Sequence, residues 1–103
     1  MTFPTITFKH TNIEPDYTLQ QLVTDKLASL SKYLGGARDV RAEVEFEKIL
    51  AKDSATQCRI ELNLRRSGTL VRAEAAAASF ENALDLVKAH AEAELLRAHD
   101  KRV

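Results

Sequence analysis

Hydrophobic residues recur along this chain with two different periods, and the switches between those periods mark its elements. Across Phe3 to His10, Ile6 and Phe8 alternate with Thr5, Thr7 and Lys9, which predicts a half-buried strand with Pro4 at its start. Thr11 to Pro15 reads as the following turn. Asp16 can accept from unpaired amide donors as an N-cap, and Leu19, Leu22, Val23, Leu27, Leu30 and Leu34 then keep one apolar stripe. The spacing predicts a helix of about five turns. It should stop at Gly35-Gly36, where the absence of a Cβ makes a left-handed closure cheap.

Period two then returns. Val40, Ala42, Val44 and Phe46 alternate with Arg41, Glu43, Glu45 and Glu47, the clearest strand pattern in the chain. After a polar loop near Leu50 to Ser54, Cys58, Ile60, Leu62 and Leu64 alternate with Gln57, Arg59, Glu61, Asn63 and Arg65. Ser67-Gly68 separates this third strand from a fourth, as in a tight hairpin. With those two residues as the loop, Leu64 faces Val71, Leu62 faces Ala73 and Ile60 faces Ala75. The same register sets Glu61 against Glu74, an unfavourable pair unless Arg59 or Arg72 lies diagonally across it. Small side chains at Ala73 and Ala75 to Ala78 leave room for a helix to approach closely. Ser79 is its expected N-cap, Phe80, Ala83, Leu84, Val87, Ala91 and Leu95 its apolar stripe, and fraying is expected after Arg97.

The order strand, helix, strand, strand, strand, helix predicts an α+β fold, a two-layer βαβββα domain whose two helices cover one face of a four-stranded mixed sheet. The first two strands, joined through a helix, should be parallel if adjacent, and the other pairs antiparallel. At 103 residues the whole of 1–103 fits one domain. Fifteen Lys and Arg balance fifteen Asp and Glu, so attraction to a polyanion requires charges segregated onto part of the surface. The single cysteine cannot close an internal disulfide, and no stretch reads as a secretory or membrane segment, which makes the cytoplasm the expected compartment.

Catalytic chemistry has little to work with, and no enzyme activity, cofactor, metal or small-molecule substrate is expected. Cys58 has inward parity and reads as a small hydrophobe. His10, His90 and His99 lack metal-ligand spacing and read as surface residues. Glu43, Glu45 and Glu47 share a strand face, where a solvated charged face is the ordinary reading. The basic residues are the more informative set. Lys9 and His10 end the first strand, Lys26 and Lys32 lie on the first helix, and Arg65, Arg66 and Arg72 flank the hairpin. Lys88, Arg97, Lys101 and Arg102 run down and past the second helix, where a basic strip is geometrically possible.

The stretch VRAEAAAASFENALDLVKAHAEAEL, with Arg72-Ala73-Glu74-Ala75 in a strand and Ala83-Leu84-Asp85 beyond the cap, resembles the closing strand and helix of the ribosome hibernation promoting factor family. That family is also called ribosome-associated inhibitor A or sigma-54 modulation protein. Asp25-Lys26-Leu27-Ala28-Ser29-Leu30-Ser31-Lys32-Tyr33 is similar to the family's first helix, and Lys9-His10 to the basic end of its first strand. The resemblance implies a fold like that of double-stranded-RNA-binding domains and a non-enzymatic factor that binds the small ribosomal subunit at the decoding region, occluding messenger and transfer RNA. It implies rRNA contacts at Lys9, His10, Lys26, Lys32, Arg65, Arg66, Arg72, Lys88 and Arg97, made to shape and backbone. Lys9, Lys26, Arg72, Lys88 and Arg97 should then share a face.

Two features depart from the family pattern. The usual run of cations at the end of the second helix is diluted in Glu94 to Arg102, and Glu81 replaces a tyrosine whose packing Phe80 could supply. Ending at Val103, the chain resembles a short form and is expected to be monomeric. The alternative is a protein-interaction module of the same fold that uses the acidic outer face of Glu43, Glu45 and Glu47.

Overall fold

The computed structural model describes residues 5–34, 40–50, 53–66 and 69–100, without the side chains of Thr69 and residues 98–100. These residues form strand β1 (Thr5–Thr11), helix α1 (Tyr17–Ala28), strands β2 (Arg41–Lys48), β3 (Cys58–Arg66) and β4 (Thr69–Ala77), and helix α2 (Phe80–Asp100). The sheet order is β1-β2-β3-β4, with β1 parallel to β2 and the other pairs antiparallel. This is the expected two-layer α+β arrangement. No helix among the described residues is long and apolar enough to cross a membrane.

The sheet register follows from hydrophobic parity. Leu64 faces Val71, Leu62 faces Ala73 and Ile60 faces Ala75, as the two-residue connection requires, although Ser67-Gly68 itself lies outside the described residues. A slip of one position would turn every one of these side chains to solvent. The inward residues of β2 to β4 meet Val23, Leu27 and Leu30 from the first helical segment and Ala83, Leu84, Val87, Ala91 and Leu95 from α2 in one core. Phe46, fully buried, stacks on Phe8 at 6.1 Å between ring centroids and takes Phe80 edge-on at 5.7 Å. Three elements are thereby tied to one ring, and Phe80 does supply packing at the start of α2.

Both anticipated caps form. Leu19 N donates to Asp16 Oδ1 at 2.8 Å and Asn82 N donates to Ser79 Oγ at 3.1 Å. The end of α1 differs from expectation: the α-helix closes at Ala28, and a short 3-10 turn follows at Ser31–Tyr33. Ser29 Oγ donates to Lys26 O at 2.6 Å, and Leu30 N donates to Leu27 O, a tighter pattern that side-chain competition for helix carbonyls favours. Leu30 and Leu34, which flank that turn, stay buried all the same. The expected Gly35-Gly36 stop lies outside the described residues. Helix α2 continues to Asp100, three residues past the expected fraying point.

Candidate nucleic-acid interface

Because β1 feeds α1 and β4 feeds α2 through short connections, both helices start at one end of the sheet. Two contacts fix their relative direction: Lys26 Nζ lies 2.6 Å from Asp85 Oδ1, and Tyr33 Oη donates to Glu92 Oε1 at 3.1 Å. Going from Lys26 to Tyr33 advances along α2 from Asp85 to Glu92, so the two helical segments run the same way. The domain therefore has a helix-start end, and an opposite end formed by the β3–β4 hairpin and the start of β2.

The outward strand positions form four rows across the open face of the sheet. Nearest the hairpin, Thr5, Arg41, Arg65 and Leu70 make the first row, and Thr7, Glu43, Asn63 and Arg72 the second. Lys9, Glu45, Glu61 and Glu74 make the third, and Thr11, Glu47, Arg59 and Ala76 the fourth. Arg41, Arg65 and Arg72 thus stand against Glu43 alone in the hairpin half. Glu45, Glu47, Glu61 and Glu74 outnumber Lys9 and Arg59 in the other half. A face that is neutral in sum is divided along its length.

The acidic half is partly offset by a partly buried hub. Arg59 reaches Glu47 at 3.2 Å, Glu61 at 3.4 Å and, in a closer contact, Glu74. Partial burial alone would lower the Arg59 pKa, but the hydrogen bond and charge of Glu74, reinforced by Glu61, raise it above its ordinary value. Arg72 Nε approaches Glu61 Oε2 at 3.3 Å and donates to Asn63 Oδ1 at 3.0 Å. The like-charged Glu61–Glu74 pair is therefore bridged by Arg59, while Arg72 adds a second cation on Glu61. Glu43 lies 3.2 Å from Lys9 and 3.7 Å from Arg65. Of the three glutamates in the protein-interaction reading, Glu43 and Glu47 are thus ion-paired, and Glu45 stands between them in β2.

The hairpin end is constructed differently. Arg41 faces Arg65 directly across β2 and β3, an arrangement that costs on the order of 0.5 kcal/mol when no anion intervenes. Both line, with Thr5, Thr7 and Glu43, a hollow of about 480 Å³. Among the described residues no carboxylate lies within ion-pair distance of Arg41. Arg66, next in β3, has the opposite parity; its Nη1 donates to Tyr33 O at 3.4 Å, and Lys32 Nζ sits 5.1 Å from the Tyr33 ring centroid. Guanidinium and ammonium groups thus wrap the sheet end from both sides.

The nine residues inferred from the family resemblance do not gather in one place. Lys32, Arg65, Arg66 and Arg72 gather at the hairpin end. Lys9 and His10 lie at the far end of the exposed edge strand, and Lys26 is engaged by Asp85. Lys88 sits between Asp85 and Glu92 on the side of α2 that faces the first helical segment. Arg97, nine residues on, projects from the opposite side of α2 and pairs with Glu94 at 2.7 Å. The expectation that Lys9, Lys26, Arg72, Lys88 and Arg97 share a face is therefore not met. Strand parity sends Lys9 and Arg72 to the open face, while the other three belong to the helical layer. Arg41 does not stand out in the sequence because its partner Arg65 is distant along the chain and becomes a neighbour only through the β2–β3 register. Lys101 and Arg102 lie outside the described residues.

Cys58 is buried, with Sγ 3.7 Å from Lys48 Nζ and 3.6 Å from Ala78 O, in keeping with an inward strand position. His10 and His90 are exposed, and no group of three metal-ligating side chains forms among the described residues.

A family model described as Sigma 54 modulation protein / S30EA ribosomal protein matches residues 5–103. Among solved structures, the N-terminal domain of Protein Y from Thermus thermophilus is similar at 25% identity and a TM-score of 0.71, over 94% of this chain and 98% of that one. A ribosomal subunit interface protein from Coxiella burnetii shares the fold at 14% identity and a TM-score of 0.69, over 94% of this chain and 99% of that one. No curated protein matches the sequence.

Proposed function

The chain belongs to the sigma 54 modulation protein / S30EA ribosomal protein family, and from that membership we propose that residues 1–103 act as one cytoplasmic domain that binds the small ribosomal subunit at the decoding region. Bound there as a monomer, it silences idle ribosomes by occupying the path of messenger and transfer RNA. The mechanism is steric and needs no catalytic group: a rigid sheet-and-helix body, held to phosphates by cations at one end, stands where substrates would pass.

The observation that carries this reading is the segregation of charge toward the hairpin. Arg41 and Arg65 face one another beside two threonine hydroxyls, with Glu43 at 3.7 Å from Arg65 only, and a phosphate bridging the two arginines would turn their pairing from a cost into a gain. Arg72, Arg66 and Lys32 extend the same end on both sides of the sheet. Lys88 and Arg97 flank it along α2, whereas Lys9, His10 and Lys26 are more distant or already paired. A neutral chain with such a division binds a polyanion by one end only.

Sedimentation with purified small subunits at several salt concentrations tests the reading. Co-sedimentation should weaken steeply and linearly in log–log form as salt rises, because each neutralised phosphate releases counterions. Binding that is absent, or indifferent to salt, would contradict a phosphate-driven contact.

A further inference from the structure

At the helix-start end, the segment after β1, the first turns of α1 and the start of α2 surround a hollow of about 720 Å³. Its floor is apolar: Ile13, Leu22 and Phe80 line it while packing against the core, and Tyr17 stands 78% exposed at its margin. Glu14, Asp16, Asp25 and Glu81 ring it, with no Lys, Arg or His among its described lining residues. Local structure accounts for part of this charge. Asp16 caps α1, Glu81 occupies the favourable first turn of α2, and Asp25 accepts from Gln21 Nε2 at 3.1 Å. Glu14 has no partner among the described residues, and neither cap nor dipole explains an exposed tyrosine beside an open apolar floor.

We propose that this groove docks a Lys- or Arg-rich segment of a ribosomal protein, anchored by one bulky apolar side chain against Phe80 and Tyr17. The inference rests on the ribosome reading and extends it with a second contact. A ribosome offers RNA phosphates and basic protein segments, and the carboxylate rim repels the first while complementing the second. The volume suits an apolar anchor, and an exposed aromatic at the edge of a pocket is the kind of residue that concentrates binding energy. The two ends of the domain would then engage the two chemical components of one particle.

The test places a photoreactive benzoylphenylalanine at Tyr17 of the full chain, and at Arg65 in a second sample, each bound to purified small subunits and irradiated. The Tyr17 probe should cross-link to a ribosomal protein within a few residues of Lys or Arg, and the Arg65 probe to rRNA. Glu14→Gln with Asp25→Asn, which nearly preserves shape and spares both helix caps, should lower the Tyr17 cross-link yield at least fivefold. Cross-linking of Tyr17 to rRNA, to a protein segment without cations, or to nothing while the protein still co-sediments would overturn this inference alone. Loss of co-sedimentation for the unsubstituted protein would sink the ribosome reading and this inference with it.

Discussion

The hairpin end and the helix-start end of this domain rest on the same core and solve the placement of charge in opposite ways. At the hairpin, Arg41 confronts Arg65 across two strands, and Arg66 and Lys32 crowd Tyr33 from the other side. At the helix starts, carboxylates ring an apolar hollow and two of them serve the helix termini. Between the ends, Arg59 holds three glutamates in a partly buried network that takes most of the acidic strand face out of play. Equal numbers of cations and anions along the chain thus fold into a body with two unlike poles. Net charge alone argues against a polyanion partner, but folding gathers Arg41, Arg65, Arg66, Arg72 and Lys32 at one end, where Glu43 is the one carboxylate in the two outward rows nearest the hairpin.

The comparison breaks most completely at its shared support. Phe46→Ala removes a fully buried ring that β1, β2 and α2 hold in common and should cost about 3–5 kcal/mol, measured by chemical denaturation. Both poles should fail together, in subunit binding and in the Tyr17 cross-link; survival of one would show that the ends are not mechanically joined. Next in size, Arg41→Glu with Arg65→Glu should weaken small-subunit binding on the order of a hundredfold while leaving the thermal midpoint nearly unchanged. A large drop in that midpoint would make the two arginines structural.

Glu61→Gln should cost roughly 1–2 kcal/mol, since it removes the carboxylate contacted by both Arg59 and Arg72 in a half-buried setting. Subunit affinity should stay within about twofold, because Arg72 keeps its bond to Asn63. Smallest of all, Asp16→Ala should lower stability by about 1 kcal/mol through loss of the α1 cap, readable as reduced amide-exchange protection at Leu19. Unaltered protection there would mean that the cap is not what holds the groove's α1 wall.

Most of the scaffold can be read from the sequence because its determinants are local or strictly periodic. The Leu64, Leu62 and Ile60 pairings follow from two-residue alternation and a two-residue loop, and the Arg59 bridge over Glu61 and Glu74, with Arg72 beside Glu61, follows from that register in turn. Asp16 and Ser79 are visible as caps for the same reason. The closure of α1 is not, because a leucine stripe is equally satisfied by an α-helix and by a three-residue turn, and the Ser29 bond to Lys26 tips the balance. The basic surface is legible as a set of residue types but not as a place. Lys88 and Arg97 look adjacent in sequence terms, yet nine residues put them on opposite sides of a helix. Arg41 meets Arg65, and Phe80 comes to line one hollow with Leu22 and Tyr17, only after distant segments have packed.

The most direct test of the central claim, that the hairpin end is where phosphates bind, is the salt dependence of small-subunit affinity measured in parallel for three proteins. With Arg41→Gln and Arg65→Gln together, the slope of log affinity against log salt should become shallower by about two, one for each lost phosphate contact. Lys9→Gln with Lys26→Gln, at cations already held by Glu43 and Asp85, should leave the slope of the unsubstituted protein in place. A shallower slope for the second pair and an unchanged one for the first would put the RNA contact elsewhere and contradict that claim.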